Sequence, residues 1–159
     1  MRHALVLYHS LYGNTKSVAE HLARGLEEAG LMVACLSIDD VDLAAIPDYS
    51  LVAIGSPTHM IRPSKDMREF LKRLRFLDLS GLAGFSFDTR TESRMNRRGF
   101  SFLENSAARV IEGTMKRLKM TIIRPRASAL VQGTEGPLAS EESENFRMIG
   151  REIGALLAV

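Results

Sequence analysis

The chain has 159 residues, of which 45% are hydrophobic and 25% charged, with 12 glycines, five prolines, a single cysteine and a formal net charge of +2. A chain of this length is expected to form one domain, here residues 1–159, burying roughly 70% of its unfolded surface. One cysteine excludes an internal disulfide, no apolar run approaches the roughly 20 residues needed to span a bilayer, and the opening MRHALVLYHS turns polar too soon for a signal peptide.

These features lead to the expectation of a cytoplasmic protein with no membrane partner. Along the chain, five apolar runs alternate with helical patterns, the order expected of βαβ units around a parallel sheet. Ala4 to Tyr8 is continuously apolar, as a central strand covered on both faces requires. Val18, Ala19, Leu22, Ala23 and Leu26 then share one helical face, which ends at Gly30. Leu31 to Leu36 and Leu51 to Ile54 are the second and third predicted strands. Pro63-Ser64 opens a helix with Met67, Phe70, Leu71 and Leu74 on its apolar face. Ala83 to Phe87 is the fourth strand, followed by a helical face of Ala107, Ile111, Met115 and Leu118. The fifth run, Thr121 to Val131, is interrupted at Arg124-Pro125-Arg126, which suits an edge strand, a bulge or a break. Phe146, Ile149, Ile153 and Leu156 form the face of a C-terminal helix. The methionines read as packing residues. No Cys/His cluster has metal-ligand spacing, so no metal is expected.

The segment Ser10 to Thr15, SLYGNT, joins the first strand to the first helix. A helix start leaves several backbone N–H groups without intrahelical partners, and its dipole adds partial positive charge, so a phosphate can be held there without a lysine. Gly13 permits a positive φ, Asn14 tolerates a left-handed turn, and the hydroxyls of Ser10 and Thr15 add polar groups. The same residues also suit a plain helix start, with Asn14 or Thr15 as N-cap and Gly13 as turn residue. The chain has no GxxxxGK[ST] run, which argues against a P-loop hydrolase, and no GxGxxG after the first strand, which argues against a dinucleotide fingerprint. Cys35 lies in an apolar run away from this loop, which disfavours a thiolate phosphatase. No Ser/His/Asp arrangement is suggested and no catalytic side chain is expected.

SLYGNT, GSPTH at Gly55 to His59, FDTR at Phe87 to Arg90 and GTEGPL at Gly133 to Leu138 together resemble the flavodoxin-like family of FMN-binding proteins. The resemblance implies a three-layer α/β/α sandwich with a five-stranded parallel sheet in the order 2-1-3-4-5. It implies that FMN is held through Ser10, Leu11, Tyr12, Gly13, Asn14 and Thr15 at the phosphate. Ser56, Pro57, Thr58, His59 and Met60 would flank the isoalloxazine ring, and a third loop from Asp88 through Thr89, Arg90 and Phe100 would cover its other side. Flavodoxins often stack the ring between tryptophan and tyrosine. This chain has no tryptophan, so His59, Met60, Tyr12, Phe100 and Phe102 are the candidate substitutes. A flavin supplies its own redox chemistry. The resemblance therefore implies a redox protein carrying electrons between partners, either a partner protein or a small-molecule acceptor. The alternatives are an FMN-dependent NAD(P)H:quinone-type oxidoreductase and a fold relative that has lost FMN and serves as a binding module.

Charge is unevenly distributed. Residues 62–126 carry 16 Lys and Arg against 7 Asp and Glu, whereas the remainder carries 5 against 12. The resemblance leads to the opposite expectation, since electron-carrying flavodoxins are typically acidic near the flavin. A basic middle suits a solvated face, or the steering of an acidic protein, an anionic quinone or a nicotinamide donor. No zinc-finger or RNA-recognition signature accompanies it, and nucleic acid is not an expected partner.

Overall fold

The computed structural model describes residues 2–59, 61–91 and 106–159. Its elements are β1 (His3–Tyr8), α1 (Asn14–Glu28), β2 (Met32–Ser37), a 3-10 turn (Leu43–Asp48), β3 (Leu51–His59), β4 (Arg62–Pro63) and α2 (Lys65–Leu74). They continue through β5 (Ala83–Thr91), α3 (Ala107–Arg117), β6 (Thr121–Ile122), β7 (Ala127–Val131) and α4 (Glu142–Leu157).

Strands β2, β1, β3 and β5 lie side by side and parallel. Both β6 and β7 run parallel along β5, at Ala83–Gly84 and at Phe87–Thr91 respectively. They are two halves of one edge strand, so the order is the expected 2-1-3-4-5 although the sheet contains seven strands. The break falls at Arg124-Pro125-Arg126. Pro125 has no N–H to donate, and the Arg126 N–H turns out of the ladder to Glu112 Oε2 at 3.1 Å. The seventh strand, β4, is a two-residue antiparallel return on β3.

Alternation places the core on both faces of the sheet. Ala4 and Val6 face one cluster with α1 and α4, while Leu5 and Leu7 face the other with α2 and α3, and all four are fully buried. Phe85 and Phe87 from β5 meet Phe146 of α4 in the first cluster, with the Phe87 and Phe146 rings edge-on at 5.8 Å between centroids. Burial of each such ring is worth about 2 kcal/mol.

Helices α1 and α4 approach through glycine. A Cβ at Gly150 would collide with the Leu22 carbonyl and lie 2.8 Å from the Leu26 nitrogen, and one at Gly25 would collide with the Arg147 carbonyl. This close approach corrects the expected face of α4. Phe146 and Ile153 are buried, but Ile149 is half-buried and Leu156 is 44% exposed, while Gly150 and Gly154 occupy the packed stripe.

Two strands outrun their apolar runs. Ser56 to His59 and Asp88 to Thr91 were expected as loops but continue β3 and β5, with Ser56 paired to Asp88 and Pro57 to Thr89. Pro57 is tolerated because the ladder between β1 and β3 ends at Tyr8 and Gly55, leaving no bond on that side for its missing N–H.

Candidate phosphate and ligand cleft

Helix α1 begins at Gly13, which takes a left-handed conformation with φ of +90°. Asn14, expected either to turn left-handed or to cap, is instead the first helical residue. A residue lacking Cβ adopts such a φ at no steric cost, so the turn falls on the glycine. The other helices start differently. Ser64 caps α2 and Ser106 caps α3 through their side chains, and α4 carries Glu142 and Glu144 in its first turn. Among the described helices, α1 alone has neither a side-chain bond from its N-cap residue nor an acidic residue in its first turn.

Four backbone donors of this loop have no acceptor among the described residues. Ser10 Oγ accepts from the Gly13 N–H at 3.1 Å and the Lys16 N–H at 3.3 Å. The amides of Leu11, Tyr12, Asn14 and Thr15 donate to nothing among the described residues. They lie at the carboxyl end of β1, beside the β1–β3 boundary where the sheet order reverses, which is the standard ligand position in an open parallel sheet.

A cleft opens there. From the first loop it is lined by Ser10, Leu11, Tyr12, Asn14 and Thr15; from β3 by Pro57, Thr58 and His59; and from β5 by Thr89 and Arg90. These ten were expected site residues. Gly13 shapes the loop without lining the cleft, and Ser56 and Asp88 are buried behind it. Met60, Phe100, Phe102 and the arginines at 94, 97 and 98 lie outside the described residues. Thr91, Val131, Gly133 and Thr134 also line the cleft but were absent from the expected site. Only the GTEGPL segment signalled that last wall. Gly136, at φ +112°, brings its backbone against the Asn14 side chain, where a Cβ would lie 2.9 Å from Oδ1.

Buried hydroxyls tie the walls together. Thr15 Oγ1 and Thr89 Oγ1 are 2.9 Å apart, joining the start of α1 to β5. Asp88 is fully buried. Its Oδ2 accepts from Thr58 Oγ1 and from the Ala108 N–H, both at 3.0 Å, and Thr58 Oγ1 accepts from the Ala107 N–H at 3.0 Å. This carboxylate serves the start of α3, where the dipole favours negative charge. Its other oxygen lies 3.8 Å from Arg90 Nε, close enough for ionic attraction but too far for a hydrogen bond. Asp88 Oδ1 and Arg90 Nε are both buried without hydrogen-bond partners. Arg90 also lines the cleft, while its Nε is buried and faces Asp88.

His9 went unnoticed in the sequence. Its Nδ1 meets Ser64 Oγ at 2.7 Å and its Nε2 lies 3.3 Å from Asp66 Oδ2. Although these are the residue types of a hydrolytic triad, Ser64 is buried, caps α2 and lines no described cavity. The arrangement anchors the residue preceding Ser10 to the neighbouring helix. Nucleophilic thiol chemistry is equally remote, because burial pushes the Cys35 thiol up to about 11, with the Glu20 and Glu27 carboxylates adding to the shift. No group of three or more metal-ligating side chains occurs among the described residues, and no described helix is long and apolar enough to cross a membrane.

A parallel sheet wound with helices on both faces and a cleft at its switch point defines an α/β protein of the doubly wound class. Residues 6–147 match the flavodoxin family model, and the chain belongs to the flavodoxin family. Proteins of this family bind FMN and act in electron transfer. Among curated relatives, the chain is 30% identical over 83 residues to probable flavodoxin 1 of Bacillus subtilis, covering 52% of each chain. It is 28% identical over 91 residues to NAD(P)H dehydrogenase (quinone) 3 of Rhizobium meliloti, covering 45% of this chain and 43% of that one. The matches thus span about half the length of these relatives. An archaeal flavodoxin structure superposes with a TM-score of 0.81 at 24% identity, covering 99% of both chains.

The cleft fits the cofactor of the family. Open amides suit its phosphate, the Arg90 side chain brings positive charge to the cleft wall, and Pro57, Tyr12 and His59 offer surfaces to a flat ring.

Proposed function

We propose that this cleft holds FMN by its phosphate at the start of α1 and that the chain carries electrons between redox partners. The four open amides of Leu11, Tyr12, Asn14 and Thr15 at an uncapped helix start carry this reading. A phosphate there would take the amides, while the hydroxyls of Ser10 and Thr15 border it. Pro57, Thr58 and His59 would bound the ring on one side, and Arg90 would donate to its polar edge. FMN, when bound, supplies one- and two-electron redox chemistry. The residues of the cleft have only to bind it, orient it and shield it.

Fluorescence titration tests the phosphate contact. FMN should quench saturably, and riboflavin, which lacks the phosphate, should bind at least about tenfold more weakly. Equal affinities would overturn the assignment.

The relationship to a quinone dehydrogenase favours a second reading, in which the same cleft oxidises a nicotinamide donor and reduces a quinone. NAD(P)H turnover with a quinone well above that of free FMN would select it. Turnover no greater than that of free FMN would select the carrier.

A further inference from the structure

Helices α2 and α3 cover the same face of the sheet but, unlike α1 and α4, leave an open groove between them of about 540 Å³. Leu71, Val110 and Leu118 supply its apolar surface. Its flanks carry Arg68 and Lys72 from α2, Arg75 from its C-cap and Arg117 from α3. Among the described residues, no carboxylate lies within ion-pairing distance of any of these four cations. Arg68 Nε is buried with no hydrogen-bond partner, Arg117 is steadied by donating to Thr114 Oγ1 at 3.0 Å, and Arg75 lies over the exposed Phe76 ring.

We infer that this groove is a docking site for an acidic amphipathic helix of a partner protein. Arg68, Lys72 and Arg75 recur at one-turn steps and span about 10 Å along α2. A ridge of that length does not converge on one small anion, but it matches Asp or Glu residues repeated every three or four positions along a facing helix, whose apolar stripe would settle on Leu71, Val110 and Leu118. Among the described residues no aromatic side chain lines the groove for base stacking, and an apolar surface recessed between charged flanks is the reverse of a membrane-inserting surface. The two helices leave the sheet beside the cleft, where Ser64 contacts His9 and Ala108 contacts Asp88. A seated partner would therefore lie alongside the cleft without covering it, and docking does not depend on FMN.

The probe is a fluorescein-labelled helical peptide with a leucine stripe flanked by glutamates, titrated into the full chain with and without FMN. Saturable anisotropy is expected, with amide shift changes confined to α2 and α3 and affinity falling as salt rises from about 50 to about 500 mM. Lys72→Glu with Arg75→Glu should weaken binding at least about tenfold, with only a small drop in the melting midpoint from placing carboxylates at the end of α2. Lys72→Ala, at an exposed position without a partner, should give a smaller loss in the same direction. The inference fails if binding is not saturable, if a lysine-flanked peptide binds as well, or if the double substitution has no effect. Tighter binding of duplex DNA or phosphatidylglycerol vesicles at these residues, or self-association abolished by the double substitution, would also overturn it.

Discussion

Asp88 shows how a polar residue in a sheet can be held by what it caps. Its carboxylate, at 0% exposure, is kept by two hydrogen bonds and the start of α3. Asp88→Ala should cost about 3 to 5 kcal/mol in urea denaturation, because the Ala108 N–H and the Thr58 hydroxyl lose their acceptor and Arg90 loses its neighbouring counter-charge inside the protein. Asp88→Asn, which keeps an acceptor but removes the charge, should cost less. Cys35 gives a second prediction at this scale. With its thiol held up to about 11 by burial, alkylation at pH 8 should be on the order of a hundredfold slower than for a free thiol. The sign for stability follows from the raised value. Below the unfolded thiol's ordinary range the contribution is fully present, and it is lost as pH climbs toward 11, because the unfolded chain releases its proton first. Tyr8, raised mainly by burial and then by Cys35, acts in the same direction as pH rises past the ordinary tyrosine range. Denaturation midpoints between about pH 8 and 11 should fall less steeply for Cys35→Ala than for the parent chain.

At the scale of elements, the α1–α4 contact is the sharpest test of backbone packing. Gly150→Ala would favour the helix intrinsically by up to about 1 kcal/mol, yet its methyl would enter the backbone of α1 at Leu22 and Leu26. Displacement of a whole helix outweighs propensity, so a net loss of about 1 to 3 kcal/mol is expected by chemical denaturation. A stabilised variant would show that the helices can separate freely. This contact also marks where the sequence was and was not legible. The faces of α1 and α2 were read correctly because Leu, Ala, Met and Phe fall at helical spacing against the sheet. The face of α4 was misread because apolar periodicity is blind to glycine as a packing residue. The ends of β3 and β5 were missed because Ser56, Thr58, Asp88 and Thr89 carry no apolar signal and owe their strand conformation to mutual pairing and to the start of α3.

For the whole molecule, the cleft is where separate segments of sequence converge. SLYGNT was legible because its residues have local jobs at a strand-to-helix turn. Thr91 and Val131 were not, since only the register of β5 with β7 brings them to the cleft, and no local pattern encodes that register. Ligand binding should couple these parts. FMN at about 100 times its Kd would add about 2.7 kcal/mol by mass action, raising the melting midpoint by about 5 to 11 °C for a domain of this size. Gly13→Val separates this from nonspecific stabilisation. A β-branched residue is strained at φ +90°, so the variant should reorient the open amides and lose most of the FMN-dependent shift. Its unliganded midpoint should drop only by the local strain, since a Cβ at this position meets nothing within 4 Å. An FMN-induced shift of the same size in both chains would mean that the start of α1 is not what grips the phosphate.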